Sequence, residues 1–158
     1  MSLRRATITD LPTLKSLCEA FRAERKFAAE LPFDVDMFMR SLSAAMDNDD
    51  MLLLLLDDDQ GLFLGALGVT PYSTIQVAHE LLWYTRPNAR GKGLSLLRAY
   101  MHWAEAKRVE YVFMTLAEPS RAMERFGFIR ADTGYFMRLP PASLGDRMGP
   151  SSDIPISV

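Results

Sequence analysis

Leu81-Leu82-Trp83-Tyr84-Thr85-Arg86-Pro87-Asn88-Ala89-Arg90-Gly91-Lys92-Gly93-Leu94-Ser95 runs from an apolar, strand-like segment through a basic glycine-rich turn into a helical stretch ending near Arg108. A strand, a turn and a helix start in that order make an anion site, because the first amides of a helix lack intrahelical acceptors and lie at the positive end of its dipole. Glycine at 91 and 93 lets an anion approach the main chain and permits positive backbone angles. Arg90 and Lys92 add charge, and arginine offers paired hydrogen bonds to one phosphate. The turn has neither the Lys-Ser/Thr ending of a nucleoside-triphosphate loop nor the three-glycine dinucleotide fingerprint with its downstream acid, so a different phosphate ligand is expected.

Upstream, Leu3 to Thr7 reads as a short strand, and Asp10 caps an amphipathic helix whose stripe is Leu11, Leu14, Leu17, Cys18 and Phe21. Asp34 caps a second helix with Val35, Phe38, Leu42, Ala45 and Met46 at helical spacing, and Met37, Met39 and Met46 read as core and groove lining. Met51 to Leu56, the polar Asp57-Asp58-Asp59-Gln60-Gly61 and Leu62 to Val69 predict an antiparallel hairpin with a solvated acidic turn; Gly65 and Gly68 mark a bulge or a close backbone approach. A strand over 77–85 precedes the basic turn. The helix after it carries Leu94, Leu97, Tyr100, Met101 and Ala104 on one face, and Tyr111 to Leu116 is the next strand. Arg121 to Phe126 forms a short helix ended by Gly127, and Phe128 and Tyr135 to Leu139 are final strand pieces. From Pro140 the chain is rich in Pro, Ser and Gly without periodicity, which predicts one domain over 1–139 and a mobile tail over 140–158. The element order predicts an α+β fold with a central mixed, mostly antiparallel twisted sheet and helices on both faces.

A chain of 158 residues, 49% apolar and 24% charged, fits one core. Its formal charge of −2 and pI near 5.7 argue against a nonspecific nucleic-acid binder. The longest apolar run, Met51 to Leu56, is too short to span a membrane, and the N-terminus lacks a signal-like apolar core, so a cytoplasmic protein is expected. Cys18 stands alone, which rules out an internal disulfide and a cysteine cluster for zinc, and its place on an apolar helix face reads as a buried structural thiol. No metal site is expected.

Arg90, Gly93 and Ser95 match the pattern Arg/Gln-x-x-Gly-x-Gly/Ala, with Arg86-Pro87 before it and Leu96-Leu97 after it. Together with Leu3 to Thr7, Asp10-Leu11-Pro12 and Arg125-Phe126-Gly127-Phe128, these residues make the chain resemble the GNAT superfamily of acyl-coenzyme A dependent N-acetyltransferases over nearly all of 3–139. The resemblance implies that the loop amides of Arg90, Gly91, Lys92, Gly93, Leu94 and Ser95 grip the pyrophosphate of acetyl-CoA. It further implies that Trp83, Tyr84 and Thr85, on a strand splayed from its neighbour, bind the pantetheine arm. Ser95 departs from Gly/Ala, yet it is small and adds a hydroxyl to the phosphate contacts.

The implied reaction is direct attack of a neutral primary amine, on a small molecule or peptide, upon the thioester. Family members often place the base on the strand before the loop, where this chain has His79 and Glu80. Alternation puts these two on opposite faces, His79 with Leu81, Trp83 and Thr85, and Glu80 with Leu82 and Tyr84, unless a bulge intervenes. Both remain candidates; apolar Leu81 and Leu82 beside Glu80 would raise its pKa toward that of a base. Met123 occupies the place of the family's acid tyrosine, and Tyr84 is the available substitute. That departure supports an alternative in which the domain binds acyl-CoA without turnover as a sensing or assembly module. Homodimerisation is common among similar domains; neither a nucleic-acid nor a membrane partner is expected.

Overall fold

The computed structural model describes residues 2–24, 33–71, 73–116 and 120–130. Its elements are β1 (Leu3–Arg5), α1 (Leu11–Glu24), α2 (Val35–Met46), β2 (Met51–Leu56), β3 (Gly61–Val69), β4 (Gln76–Thr85), α3 (Leu94–Ala106), β5 (Val112–Phe113) and α4 (Arg121–Arg125). The chain divides into two compact units, Met1–Arg121 and Ala122–Val158.

In the first unit the strands lie in sequential order β1-β2-β3-β4-β5, antiparallel except for the parallel pair β4–β5. This is the mixed, mostly antiparallel sheet expected. β2 is buried from Leu52 to Leu56 because both its faces are covered, which accounts for an unbroken leucine run instead of alternation. One face packs Leu53, Leu55, Leu62, Leu64, Leu82 and Tyr84 against Leu14, Leu17 and Cys18 of α1 and Leu42 and Ala45 of α2. The other receives α3, with the Phe63 and Tyr100 rings 4.7 Å apart. A Cβ at Gly65 would stand 3.2 Å from both rings, so this glycine makes room for Tyr100. Cys18 is fully buried, and burial pushes its thiol up to about 12.

Several local expectations change. β1 stops at Arg5, because Ala6 leads into a 3-10 turn over Ile8–Asp10. Asp10 does not cap α1; its buried carboxylate accepts the Thr7 amide at 2.7 Å and two bonds from the Arg4 guanidinium at 2.7 and 2.8 Å. Asp34 caps α2 as read, accepting the Met37 amide at 2.8 Å, but Met37 itself points outward and is 58% exposed. The strand expected over Tyr111 to Leu116 contracts to Val112–Phe113, the two residues that pair with β4.

The second unit begins within α4. Gly127 takes φ +89°, its amide donating to Glu124 O and that of Phe128 to Met123 O, a glycine-dependent helix ending. Phe128 closes this turn instead of forming a strand. The strand expected over Tyr135 to Leu139 and the tail from Pro140 lie outside the described residues.

Candidate active site and coenzyme loop

β4 is paired with β3 along its whole length but with β5 only at Ala78–Val112 and His79–Phe113. From Leu81 to Thr85 its other edge has no strand partner among the described residues, so the two parallel strands part after two rungs. The antiparallel register also slips here, with Gly65 opposite Glu80 and Leu64 opposite Leu82, leaving Leu81 as an extra, exposed residue. This bulge overturns the alternation argument. His79 shares the α1/α2 face with Leu82 and Tyr84, while Glu80 shares the α3 face with Trp83, which stands opposite Phe63.

Glu80 Oε2 accepts the Thr115 amide at 3.1 Å, reaching across the opening to the chain that has just left β5. Burial first, and then the Glu80 charge, push the Tyr100 phenol above its ordinary range, which places that carboxylate on the α3 side. The expected apolar flank is therefore absent: Leu81 is 54% exposed and Leu82 faces the opposite layer. His79 stacks on Phe113 with ring centroids 5.3 Å apart. Both base candidates thus sit where the strands part, one on each face.

Downstream, Pro87–Lys92 forms a 3-10 helix that runs through Gly93, at φ −57° and ψ −28°, into α3. Neither Gly91 nor Gly93 adopts a positive φ, so backbone conformation demands neither glycine, and only at Gly93 is space the reason. A Cβ at Gly93 would meet Thr85 Cγ2 at 3.2 Å and Arg90 O at 3.4 Å, whereas one at Gly91 meets nothing within 4 Å. The amides of Leu96 and Leu97 return to Gly93 O, so the first turn of α3 is built directly on the end of the loop. The loop thereby delivers the positive end of the α3 dipole, the end of a helix that favours an anion. Ser95 Oγ donates to Lys92 O at 2.7 Å, which spends its proton on the loop itself.

The basic side chains are braced from other elements. Arg90 Nη2 donates to Glu24 Oε2 at 3.0 Å and Lys92 Nζ to Asp57 Oδ2 at 2.9 Å. Arg86 donates to Asp59 O at 2.7 Å and Ser16 Oγ at 3.0 Å. The acidic hairpin turn is a strut for the loop, not a merely solvated bend. Lys92 and the Ser2 amide hold the Asp57 carboxyl below its usual range. Tyr84 packs edge-on against Phe21 at 5.9 Å and donates its hydroxyl to Glu24 Oε1 at 2.6 Å. Desolvation and that carboxylate raise the phenol to about 12, and the hydroxyl lies at the loop end of β4, linked to Arg90 through Glu24. Trp83 Nε1 is buried without a hydrogen-bond partner among the described residues, and Thr85 covers Gly93.

Sequence reasoning missed Glu24, Ser16 and Asp57 as partners of this loop. Glu24 lies one helical turn past Phe21, so a shared face was readable, but its contact with β4 depends on how α1 crosses the sheet. Among the described residues no group of three His, Cys, Asp or Glu side chains could hold a metal ion, and no helix is long and apolar enough to cross a membrane.

A five-stranded, mostly antiparallel sheet whose one parallel pair parts before the loop into α3 defines the chain as an α+β domain. The model of the acetyltransferase (GNAT) family matches residues 14–128, and the chain belongs to that family. No curated protein matches the sequence. Among solved structures, the fold is similar to an integron cassette protein from the mobile metagenome of Cole Harbour salt marsh, at TM-score 0.67 and 23% identity over 88% of this chain and 91% of that one. It is also similar to a GNAT family acetyltransferase of Staphylococcus aureus, at TM-score 0.63 and 17% identity over 87% and 98%. An aminoglycoside 6'-N-acetyltransferase of Acinetobacter haemolyticus gives TM-score 0.64 and 16% identity over 90% and 100%. At these identities the likeness is one of fold.

Proposed function

We propose that this chain is a cytoplasmic N-acetyltransferase, with one catalytic domain over residues 1–139, that moves the acetyl group of acetyl-CoA to a primary amine by direct attack. The observation that carries the reading is the edge of β4 from Leu81 to Thr85, which has no strand partner among the described residues and leads through the basic loop to the N-terminus of α3. An extended amide-bearing arm adds to such an edge as a strand would, and a diphosphate fits the helix start.

Acetyl-CoA supplies the thioester carbon. Glu80, beside the parting of the strands, takes a proton from the acceptor ammonium, so that the nitrogen attacks with a free lone pair. The C–N bond forms as the C–S bond breaks, and the acylated nitrogen gives up a proton that the departing thiolate takes up; a thiol with an ordinary pKa of about 8.5 needs no strong acid for this at neutral pH. His79, on the opposite face, is the other candidate base. The small-molecule amine acceptor named for the Acinetobacter haemolyticus neighbour makes small amines the first panel to try.

Calorimetry with CoA and free-thiol release across an amine panel test the reading. The expected result is CoA binding, turnover with at least one amine, and a fall in kcat of about 10²-fold or more in Glu80→Gln with CoA affinity retained. Loss of kcat in His79→Gln instead would transfer the role to His79. CoA binding without turnover on any amine favours the alternative, an acyl-CoA-binding module for sensing or assembly, and no CoA binding refutes both.

A further inference from the structure

We infer that Glu24 is a positioning residue for the coenzyme, joining buried Tyr84 to Arg90 so that the guanidinium stands preset in the loop that leads into α3. The inference rests on the acetyl-CoA reading above. The carboxylate is fully used, with Oε1 on the Tyr84 hydroxyl at 2.6 Å and Oε2 on Arg90 Nη2 at 3.0 Å. Its two partners differ in kind. Tyr84 belongs to the core, 7% exposed and packed on Phe21 of the same helix, so the shorter bond fixes Glu24 to the rigid part of the molecule. Arg90 is 68% exposed at its side chain and gives Glu24 a single nitrogen; its remaining N–H groups have no acceptor among the described residues.

That geometry separates a positioning role from a competing one. A carboxylate that occupied the phosphate-binding donors of Arg90 would take the guanidinium through two nitrogens, as Asp10 takes Arg4. Glu24 takes one and leaves the rest of the fork outward. An exposed one-point ion pair contributes little to stability, so the arrangement's effect falls on where Arg90 is held. Arginine is rich in rotamers, and restricting it before the ligand arrives lowers the entropy lost on binding. Lys92 is restrained in the same way by Asp57, so both loop cations are set by acids behind them.

The test is calorimetric titration of the full chain with CoA and, in parallel, with pantetheine, which lacks the diphosphate. Glu24→Gln keeps the shape but presents an amide to Arg90; it should weaken CoA binding about three- to tenfold, the effect of one long side chain no longer held in place. Pantetheine affinity should not move. Tyr84→Phe, which retains the packed ring, should weaken CoA binding in the same direction, and Glu24→Gln should change nothing further in an Arg90→Ala background. Unchanged or tighter CoA binding in Glu24→Gln, equal loss for CoA and pantetheine, or full additivity with Arg90→Ala would overturn the inference while leaving the acetyl-CoA reading intact. Failure of the wild-type chain to bind CoA would overturn both. Melting curves confirm that each variant is folded at the titration temperature.

Discussion

Replacing Gly93 by valine separates the loop's role in the fold from its role in binding. The new Cβ would stand 3.2 Å from Thr85 Cγ2 and 3.4 Å from Arg90 O, so alanine already asks its neighbours to give by a few tenths of an ångström. Thr85 is β-branched and held in β4, which leaves it little rotamer freedom to yield. Valine adds two more methyl groups, an overpacking cost of about 1–3 kcal/mol. Stiffening the unfolded chain offsets about 0.4–1 kcal/mol of this, because Gly93 is already in the right-handed helical region. The net cost is about 1–2 kcal/mol, equivalent to a fall in Tm of about 2–8 °C for a chain of this size. On the binding side, valine keeps a diphosphate from closing on the helix start, and losing one charge-assisted bond of about 1.5–3 kcal/mol weakens CoA about ten- to hundredfold. Gly91→Ala is the control for stability. Its Cβ meets open space and its backbone is helical, so Tm should rise by about 1–4 °C. Scanning calorimetry reads Tm, and titration with CoA at 20 °C reads affinity. If Gly93→Val lowers Tm as expected but binds CoA within about twofold of wild type, no phosphate approaches Gly93 and the site is misplaced.

Asp10→Asn should cost about 1–3 kcal/mol, since it removes the charge and one of the two oxygens that accept from Arg4 and the Thr7 amide at a buried position. Arg4 holds the Asp10 carboxyl far below its ordinary value of 3.8, so its stabilisation is complete above that value and is lost as pH falls toward the folded-state pKa. Acid melting from pH 5 to 2 should be flatter in the variant, and an unchanged slope would contradict the pairing. Tyr84 titrates in the opposite sense. Its phenol is raised from 10.0 to about 12, so its contribution is intact below pH 10 and disappears as pH rises through about 12. Ultraviolet difference titration of wild type against Tyr84→Phe should show the missing phenolate step near that upper value, and a step near 10 would refute the bond to Glu24.

The β2–β3 hairpin, both amphipathic helices on the first face and the helix start after β4 were all legible, because each depends on local periodicity and capping. Where the reading failed, a non-local partner had taken over. Asp10 has the sequence context of a helix cap, but Arg4 draws its carboxylate into a buried pair. The acidic triplet reads as solvent-facing until Lys92 and Arg86 arrive from elsewhere in the chain. The bulge at Leu81 leaves no compositional mark on β4, yet it decides which residues share a face with His79 and which with Glu80. Of the two reasons read for glycine in the basic loop, positive backbone angles are not used, because the backbone there is helical, and close packing against Thr85 adds a demand for the missing side chain at 93.

Hairpin tips are ordinarily the places where a chain accepts extra residues most readily. The tip at Asp57–Gln60 is an exception. Asp57 and Asp58 adopt left-handed angles of 44° and 60°, and the tip reaches Ser2 and Arg4 from one distant stretch of sequence and Arg86 and Lys92 from another. An inserted residue would change the span between the Asp57 carboxylate and the Asp59 carbonyl, the two points at which this turn supports the basic loop before α3. Length variation or a fusion joint at this outwardly permissive position would therefore act on the loop from Arg86 to Ser95 and, under the proposed function, on coenzyme affinity.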